Sequence, residues 1–326
     1  MRNLNLSEIT QIVNNELEIF NHKFQESIWS ENKIVNIIIK YLLKQKGKRI
    51  RPLLVILSSK IIGNVTDRTY RGATLVELLH TATLVHDDVV DEAETRRGFP
   101  SINAVWKNKA AVLIGDYLLA KGLMLAVDGN DFDFLKVITN TVKRMSEGEL
   151  LQSSKTRKLN NDEETYYKII SDKTASLIST CCEIGARSVT NDETKILAMK
   201  NYGENLGMAF QIRDDILDYI GKKSLLGKPL GGDIREKKLT LPLIFALKNS
   251  NQDVSKNILS LMKKNEKDIN VDKVIDFVKN NGGIEYSEKV AKEYGQKAKE
   301  QLNIFHDSQI KNSLSELVDF ILERKK

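Results

Sequence analysis

Apolar residues recur three and four positions apart along nearly the whole chain, as in Ile34, Ile37, Ile38, Tyr41 and Leu42, and again in Leu75, Leu78, Leu79, Ala82, Val85 and Val89. That period lines up one face of an α-helix, whereas a half-buried strand would alternate every second residue, and no convincing series of alternating segments is present. The chain is therefore expected to be all-α. The spacing predicts helices over roughly 7–22, 31–45, 51–63, 67–92, 103–128, 132–154, 163–190 and 193–221, with shorter ones from about 240 onward. Ser7 before Glu8, Asp192 before Glu193 and the run Asn161-Asp162-Glu163-Glu164 place acceptors and negative charge where helix N-termini favour them. The four prolines, Pro52, Pro100, Pro229 and Pro242, punctuate segments without forming a hinge. With no linker in sight, residues 1–326 are expected to form one domain.

The 41% hydrophobic residues supply a substantial core and the 29% charged residues can cover its outside. The first ten residues are polar, and no apolar run approaches the roughly 20 residues that a membrane-spanning helix needs, so no signal peptide or transmembrane helix is expected. Cys181 and Cys182 are neighbours in an apolar stretch and read as two small buried residues, which suits a reducing compartment and a cytoplasmic protein. A formal charge of +6 would suit nucleic acid, anionic lipid or a phosphorylated small molecule. Zinc-finger spacing, a glycine-rich arm and a compact basic run interleaved with aromatics are all missing, so nucleic acid is not an expected partner.

One pattern of five residues occurs twice: Asp87-Asp88-Val89-Val90-Asp91 and Asp214-Asp215-Ile216-Leu217-Asp218. One such DDxxD match arises by chance in only about 5% of chains of this length, and two are much rarer. On a helix the first and last Asp share a face, where like charges four apart destabilise it. Both clusters also follow apolar residues, among them Leu84 and Val85 in one case and Phe210 and Ile212 in the other. A solvated acidic face is the plain alternative. A divalent cation would relieve the repulsion, and Mg²⁺ is the natural candidate because it takes one or two carboxylates and completes its octahedron with water and substrate phosphate. The single Glu-x-x-His pair, Glu77 and His80, lacks the second copy that a di-iron bundle requires.

Basic residues accompany these clusters. Lys48, Arg49 and Arg51 begin a helix, Arg96 and Arg97 follow the first Asp cluster, Lys173 and Thr174 lie mid-helix, and Lys228 and Lys238 follow the second cluster. Each alone also reads as a solvated cation; as a group they could bind diphosphates.

Taken together, Gly47-Lys-Arg-Ile-Arg-Pro52, HDDVVDEAETRRG from His86 to Gly98, FQIRDDILD from Phe210 to Asp218 and GKPLGGDIREKKLTLP from Gly227 to Pro242 resemble the signatures of the polyprenyl synthetase family, closest to its long-chain, octaprenyl-type members. The resemblance implies one bundle of long helices around a deep apolar cavity, usually a homodimer, that joins isopentenyl diphosphate head-to-tail to an allylic diphosphate. It implies that Asp87, Asp88, Asp91, Asp214, Asp215 and Asp218 hold Mg²⁺ against the allylic diphosphate. Arg96, Lys173, Thr174, Gln211, Lys228 and Lys238 would support that group, and Lys48, Arg51, His80 and Arg97 would bind isopentenyl diphosphate. The chain departs from the family pattern at Lys46 and Lys237, where glycines are common; Lys238 rather than Lys237 is the expected diphosphate contact. A class I terpene cyclase would have no use for the GKRIRP segment, and a non-catalytic partner subunit would not need both intact Asp clusters. A short-chain synthase of the same family is the other reading.

The growing tail is expected to run down from Asp87 into the bundle, about 5.4 Å deeper per helical turn. Thr83 and Leu79, four and eight residues earlier, with Ala82 alongside, then line the first part of the passage, and Ile138 or Val142 are candidates for its floor. Small side chains at 82 and 83 leave the passage open for a long product, which would serve as a quinone side-chain precursor and bring the protein transiently to a membrane.

Overall fold

The computed structural model describes residues 6–45, 47, 49–96, 98–160, 162–221, 230–265 and 268–324. Among the described residues the regular structure is helical apart from one hairpin of two-residue strands, Thr95–Arg96 paired antiparallel with Phe99–Pro100. In chain order the helices are α1 (Leu6–Gln11), α2 (Asn14–Ile28), α3 (Lys33–Lys44), α4 (Ile50–Lys60), α5 (Asp67–Val90), α6 (Ile102–Asp128), α7 (Phe132–Lys158), α8 (Glu163–Ile170), α9 (Ser176–Arg187), α10 (Glu193–Ile220), α11 (Gly232–Arg235), α12 (Leu241–Asn249), α13 (Gln252–Met262), α14 (Val271–Asn280), α15 (Gly283–Gln301) and α16 (Gln309–Glu323). Two compact units result: Ser7–Thr139 with Thr180–Met199, called the α5 unit, and Asn140–Ser179 with Lys200–Lys326, called the α10 unit.

Several boundaries follow from local chemistry. Thr66 and Thr69 cap each other's backbone at the start of α5, Ser101 accepts from the Ala104 N–H ahead of α6, and Asp162 accepts from Thr165 ahead of α8. Asp192 accepts from Thr194 as expected, whereas Ser7 lies within α1 and Asn161 lies outside the described residues. The single helix expected over 7–22 is divided between α1 and α2, and the one expected over 163–190 is divided by a π-turn at Ser171–Ala175.

In the α5 unit, α6 lies close along α5. A Cβ at Gly115 would sit 2.2 Å from His86 Nε2, and one at Gly122 3.2 Å from a Leu75 methyl, so glycine permits the approach. Lys107 breaks α6 near its start with φ 72°. Despite its scattered lysines, α6 is long and apolar enough to cross a membrane by length and composition, with a mean hydropathy of 1.8 over its most apolar stretch. This corrects the expectation that no such segment exists; two thirds of that stretch is not buried, and Val105, Val112, Leu113, Met124 and Val127 are exposed. In the α10 unit the core gathers Ile212, Ile216, Tyr219, Ile234, Leu243 and Val278. Cys181 and Cys182 are buried and unbridged, and burial pushes the Cys182 thiol up to about 12.

Candidate active site

The first Asp cluster ends α5. The Asp91 N–H closes the last turn on Asp87 O at 2.8 Å, and the Ala93 N–H reaches Asp88 O at 2.9 Å. Glu92 then takes a positive φ of 50°, which turns the chain into the hairpin. That reversal brings Arg96 back onto Asp88, with Nε 2.7 Å and Nη2 2.6 Å from Oδ1. Asp88 is buried, so the guanidinium supplies the partner that a desolvated carboxylate requires, whereas Asp91 is exposed and Asp87 half-buried. Asp88 therefore already has a cation, and Asp87 and Asp91 offer the more accessible oxygens.

A cavity in the same unit has Arg49, Glu77, His80, Asp88 and Arg96 among its polar lining, with Phe24, Leu42 and Leu118 among its apolar lining. Arg49 enters α4 with φ 48°, hydrogen-bonds Asn21 and lies 5.6 and 5.3 Å from the ring centroids of Phe20 and Phe24. Burial lowers its guanidinium pKa, and the charge of Glu77 partly restores it. Arg51 is half-buried on the first turn of α4. Leu79 and Ala82 are buried on α5, and half-buried Thr83 donates to His80 O at 2.9 Å. Neither these three nor Arg51 lines that cavity, whose α5 wall is made by residues 77, 78, 80, 81, 84, 85 and 88.

The second cluster lies in the α10 unit, and each of its carboxylates has different partners. Asp214 pairs with Arg324 Nη2 at 2.5 Å. Buried Asp215 accepts from Tyr166 OH at 2.6 Å and Gln211 Nε2 at 2.8 Å. Asp218 accepts from the Gly232 and Asp233 N–H groups, both at 3.0 Å, so it caps α11 after the left-handed turn at Gly231, φ 74°. Burial, then the charge of Asp233, pushes the Asp215 carboxyl well above the usual carboxylate range against the pull of its two donors. Burial and the facing Asp218 push Asp233 itself up to about 7, with Lys238 acting the other way. A cation bound beside Asp215 and Asp233 would favour their ionised forms.

The cavity beside this cluster is lined by Tyr166, Lys173, Thr174, Gln211, Asp215, Asp233 and Lys238, among others. Thr174 donates to Gln211 Oε1 at 2.8 Å, extending a chain of hydrogen bonds to Asp215 and Tyr166. Lys173 Nζ reaches Gln152 at 2.7 Å and Glu149 at 2.5 Å, and Lys238 pairs with Glu236 at 2.5 Å. Lys237 turns instead toward Lys263 O at 3.5 Å. Lys48, Arg97 and Lys228 lie outside the described residues.

Among the described residues no three acidic, His or Cys side chains form a ready-made metal cage. The donors are nevertheless all carboxylate oxygens, and Mg²⁺ commonly binds one or two of these while substrate phosphate and water fill its remaining positions. The residues fit such an ion.

The sequence model of one family, polyprenyl synthetase, matches residues 32–278. The chain belongs to that family. Among polyprenyl synthetases, heptaprenyl diphosphate synthase component 2 of Bacillus subtilis (strain 168) is 34% identical over 96% of this chain and 89% of its own length. The octaprenyl diphosphate synthase of Escherichia coli (strain K12) is 30% identical over 98% and 99%. The crystal structure of a polyprenyl synthase from Caulobacter crescentus CB15, complexed with calcium and isoprenyl diphosphate, superimposes with a TM-score of 0.90 at 32% identity, covering 100% of both chains. The all-α isoprenoid synthase fold and a trans-prenyltransferase activity follow from this membership. Tyr166, Asp233 and Arg324, beside the second cluster, escape the sequence reading, and Arg49 enters it only as one of the basic residues that begin a helix. Asp233 and Arg49 lie inside the quoted motif strings and were within reach; Tyr166 and Arg324 had no signal, because their partners are distant in sequence.

Proposed function

We propose that this polyprenyl synthetase adds isopentenyl diphosphate repeatedly to an allylic diphosphate, giving a long-chain all-trans product of the octaprenyl class and releasing diphosphate at each step. The observation that carries this reading is the pairing of a DDxxD cluster with cationic side chains in each unit, in a chain whose relatives include heptaprenyl and octaprenyl diphosphate synthases.

Asp87, Asp91, Asp214, Asp215 and Asp218, with Asp88 assisting, are the residues that would hold Mg²⁺. The calcium bound by the Caulobacter protein supports a divalent cation at such a site. When bound, the metal supplies positive charge to the leaving diphosphate. Lys173, Lys238, Lys228 and Arg96 add hydrogen-bond donors to the same group. Electrostatic stabilisation of this kind is the dominant source of rate expected where a C–O bond breaks to leave an allylic cation and an anionic leaving group. The hydroxyl of Thr174 and the amide of Gln211 present dipoles to the cation. Lys48, Arg51, His80 and Arg97 bind the isopentenyl diphosphate, whose double bond attacks the allylic carbon; a proton then leaves to the departing diphosphate.

Leu79, Ala82 and Thr83, on α5, would line the start of the product passage. The exposed apolar residues of α6 support a homodimer formed by a second copy of the chain. The expected setting is the cytoplasm, with transient membrane contact through a product that serves as a quinone side chain. Incubating the purified chain with labelled isopentenyl diphosphate, Mg²⁺ and geranyl, farnesyl or geranylgeranyl diphosphate, then sizing the products, tests the reading. A ladder ending near eight isoprene units supports it. A stop at three or four units would make this a short-chain synthase, and no product without a second protein would make it a partner subunit.

A further inference from the structure

The π-turn at Ser171–Ala175 carries the two residues, Lys173 and Thr174, that line the cavity beside Asp215. The Ser176 N–H reaches back five residues to Ser171 O, and the Ser176 hydroxyl donates to Asp172 O at 2.6 Å. Such turns are rare, concentrate at functional sites and persist only where the surroundings over-determine them. Here α7 and α10 do so. A Cβ at Gly148 would sit 3.0 Å from Asp172 Cβ and 3.1 Å from the Lys173 nitrogen, and one at Gly207 only 2.5 Å from Ala175 Cα. Both helices therefore reach the turn through glycine.

A single guanidinium fastens the start of the turn. Arg144, on α7, donates from Nε to Asp172 Oδ1 at 2.9 Å, and from Nη2 to Ser171 Oγ at 2.8 Å and Ser171 O at 3.3 Å. Its Nη2 also reaches Glu204 Oε1 at 2.8 Å, and that same oxygen accepts from Ser171 Oγ at 2.6 Å. Asp172 is buried and takes a second cation, Lys168, at 2.6 Å. Arg144 is not among the residues lining the cavity.

We infer that Arg144 is a positioning residue: its planar fork holds Ser171 and Asp172 in the wide turn that aims Lys173 and Thr174 at the diphosphate. The inference rests on the proposed role of Lys173. It is tested by the kinetics of wild type, Lys173→Ala, Arg144→Gln and Arg144→Lys, with rates referred to titrated active sites, each substrate varied in turn, and inorganic pyrophosphate affinity measured by calorimetry. Lys173→Ala should lower kcat about 100-fold or more, the scale for loss of one donor to a developing anion. Arg144→Gln should lower it about 10- to 100-fold, the scale of a small misplacement of a catalytic group. Arg144→Lys should not rescue, because an ammonium cannot reproduce the fork. Pyrophosphate affinity should fall in both Arg144 variants, with the KM for isopentenyl diphosphate unchanged. A purely structural role would lower only the melting temperature and the fraction of active sites. Should Arg144→Gln not fold, Arg144→Lys decides. Wild-type kcat and pyrophosphate affinity in the Arg144 variants, with Lys173→Ala impaired, overturn the inference alone; full activity in Lys173→Ala overturns the role of Lys173 as well.

Discussion

Replacing Tyr166 by Phe removes one hydroxyl and leaves the ring, which isolates the 2.6 Å hydrogen bond to Asp215. The bond has different worth for the two forms of that carboxyl. Burial and Asp233 hold it toward the protonated form in the metal-free protein, and a neutral hydrogen bond contributes about 0.5–1.5 kcal/mol to stability. The form that meets a cation is the carboxylate, to which a hydrogen bond contributes about 1.5–3 kcal/mol. Gln211 still donates to Asp215 in the variant. Tyr166→Phe should therefore lower metal-free folding stability by about 1 kcal/mol. It should raise the half-saturating Mg²⁺ concentration about 5- to 10-fold, since Mg²⁺ affinity reads only the difference between the two losses, about 1 kcal/mol, and each 1.4 kcal/mol is a factor of ten. Chemical denaturation without metal and prenyl transfer against Mg²⁺ concentration read the two effects separately. A variant with wild-type Mg²⁺ dependence would refute the claim that Tyr166 readies Asp215 for a cation.

Asp172 provides a test against pH. Burial alone would raise its pKa, but hydrogen bonds from Lys168 and Arg144 outweigh it and hold the carboxyl below its ordinary 3.8. A depressed pKa contributes stability above the unfolded value and loses it as pH falls through the folded one. Asp172→Asn should thus destabilise most at neutral pH, with the gap to wild type closing below about pH 3.8 in acid unfolding curves. Gly185→Ala would place a Cβ 2.3 Å from the Val55 carbonyl oxygen, backbone that cannot easily yield. It should lose about 1–3 kcal/mol by denaturant titration. Ala82→Phe or Thr83→Phe should shorten the product ladder, and unchanged products would remove these residues from the passage.

The helices were legible because the 3.6-residue apolar period is local, and the acid clusters because DDxxD is a contiguous string. What escaped depends on contacts between distant segments or on breaks without a marker. Nothing in Ser171-Asp172-Lys173-Thr174-Ala175 resembles a breaker residue, so 163–190 read as one helix; the turn is imposed by Arg144, Gly148 and Gly207. The hairpin at Arg96 is too short for an alternating pattern, yet it is what returns Arg96 to Asp88. Asp218 read as a ligand because of its spacing, and only the fold reveals that it also caps α11. The apolar reach of α6 was understated because Lys107, Lys109 and Lys121 interrupt its apolar run.

On the proposed mechanism the two aspartate clusters act on diphosphate only through a bound divalent cation. Following labelled isopentenyl diphosphate into product, as the metal is stripped with EDTA and Mg²⁺ is then returned, measures that dependence. Transfer should cease with chelation and recover with added Mg²⁺. Transfer that continues undiminished in EDTA would contradict the claim.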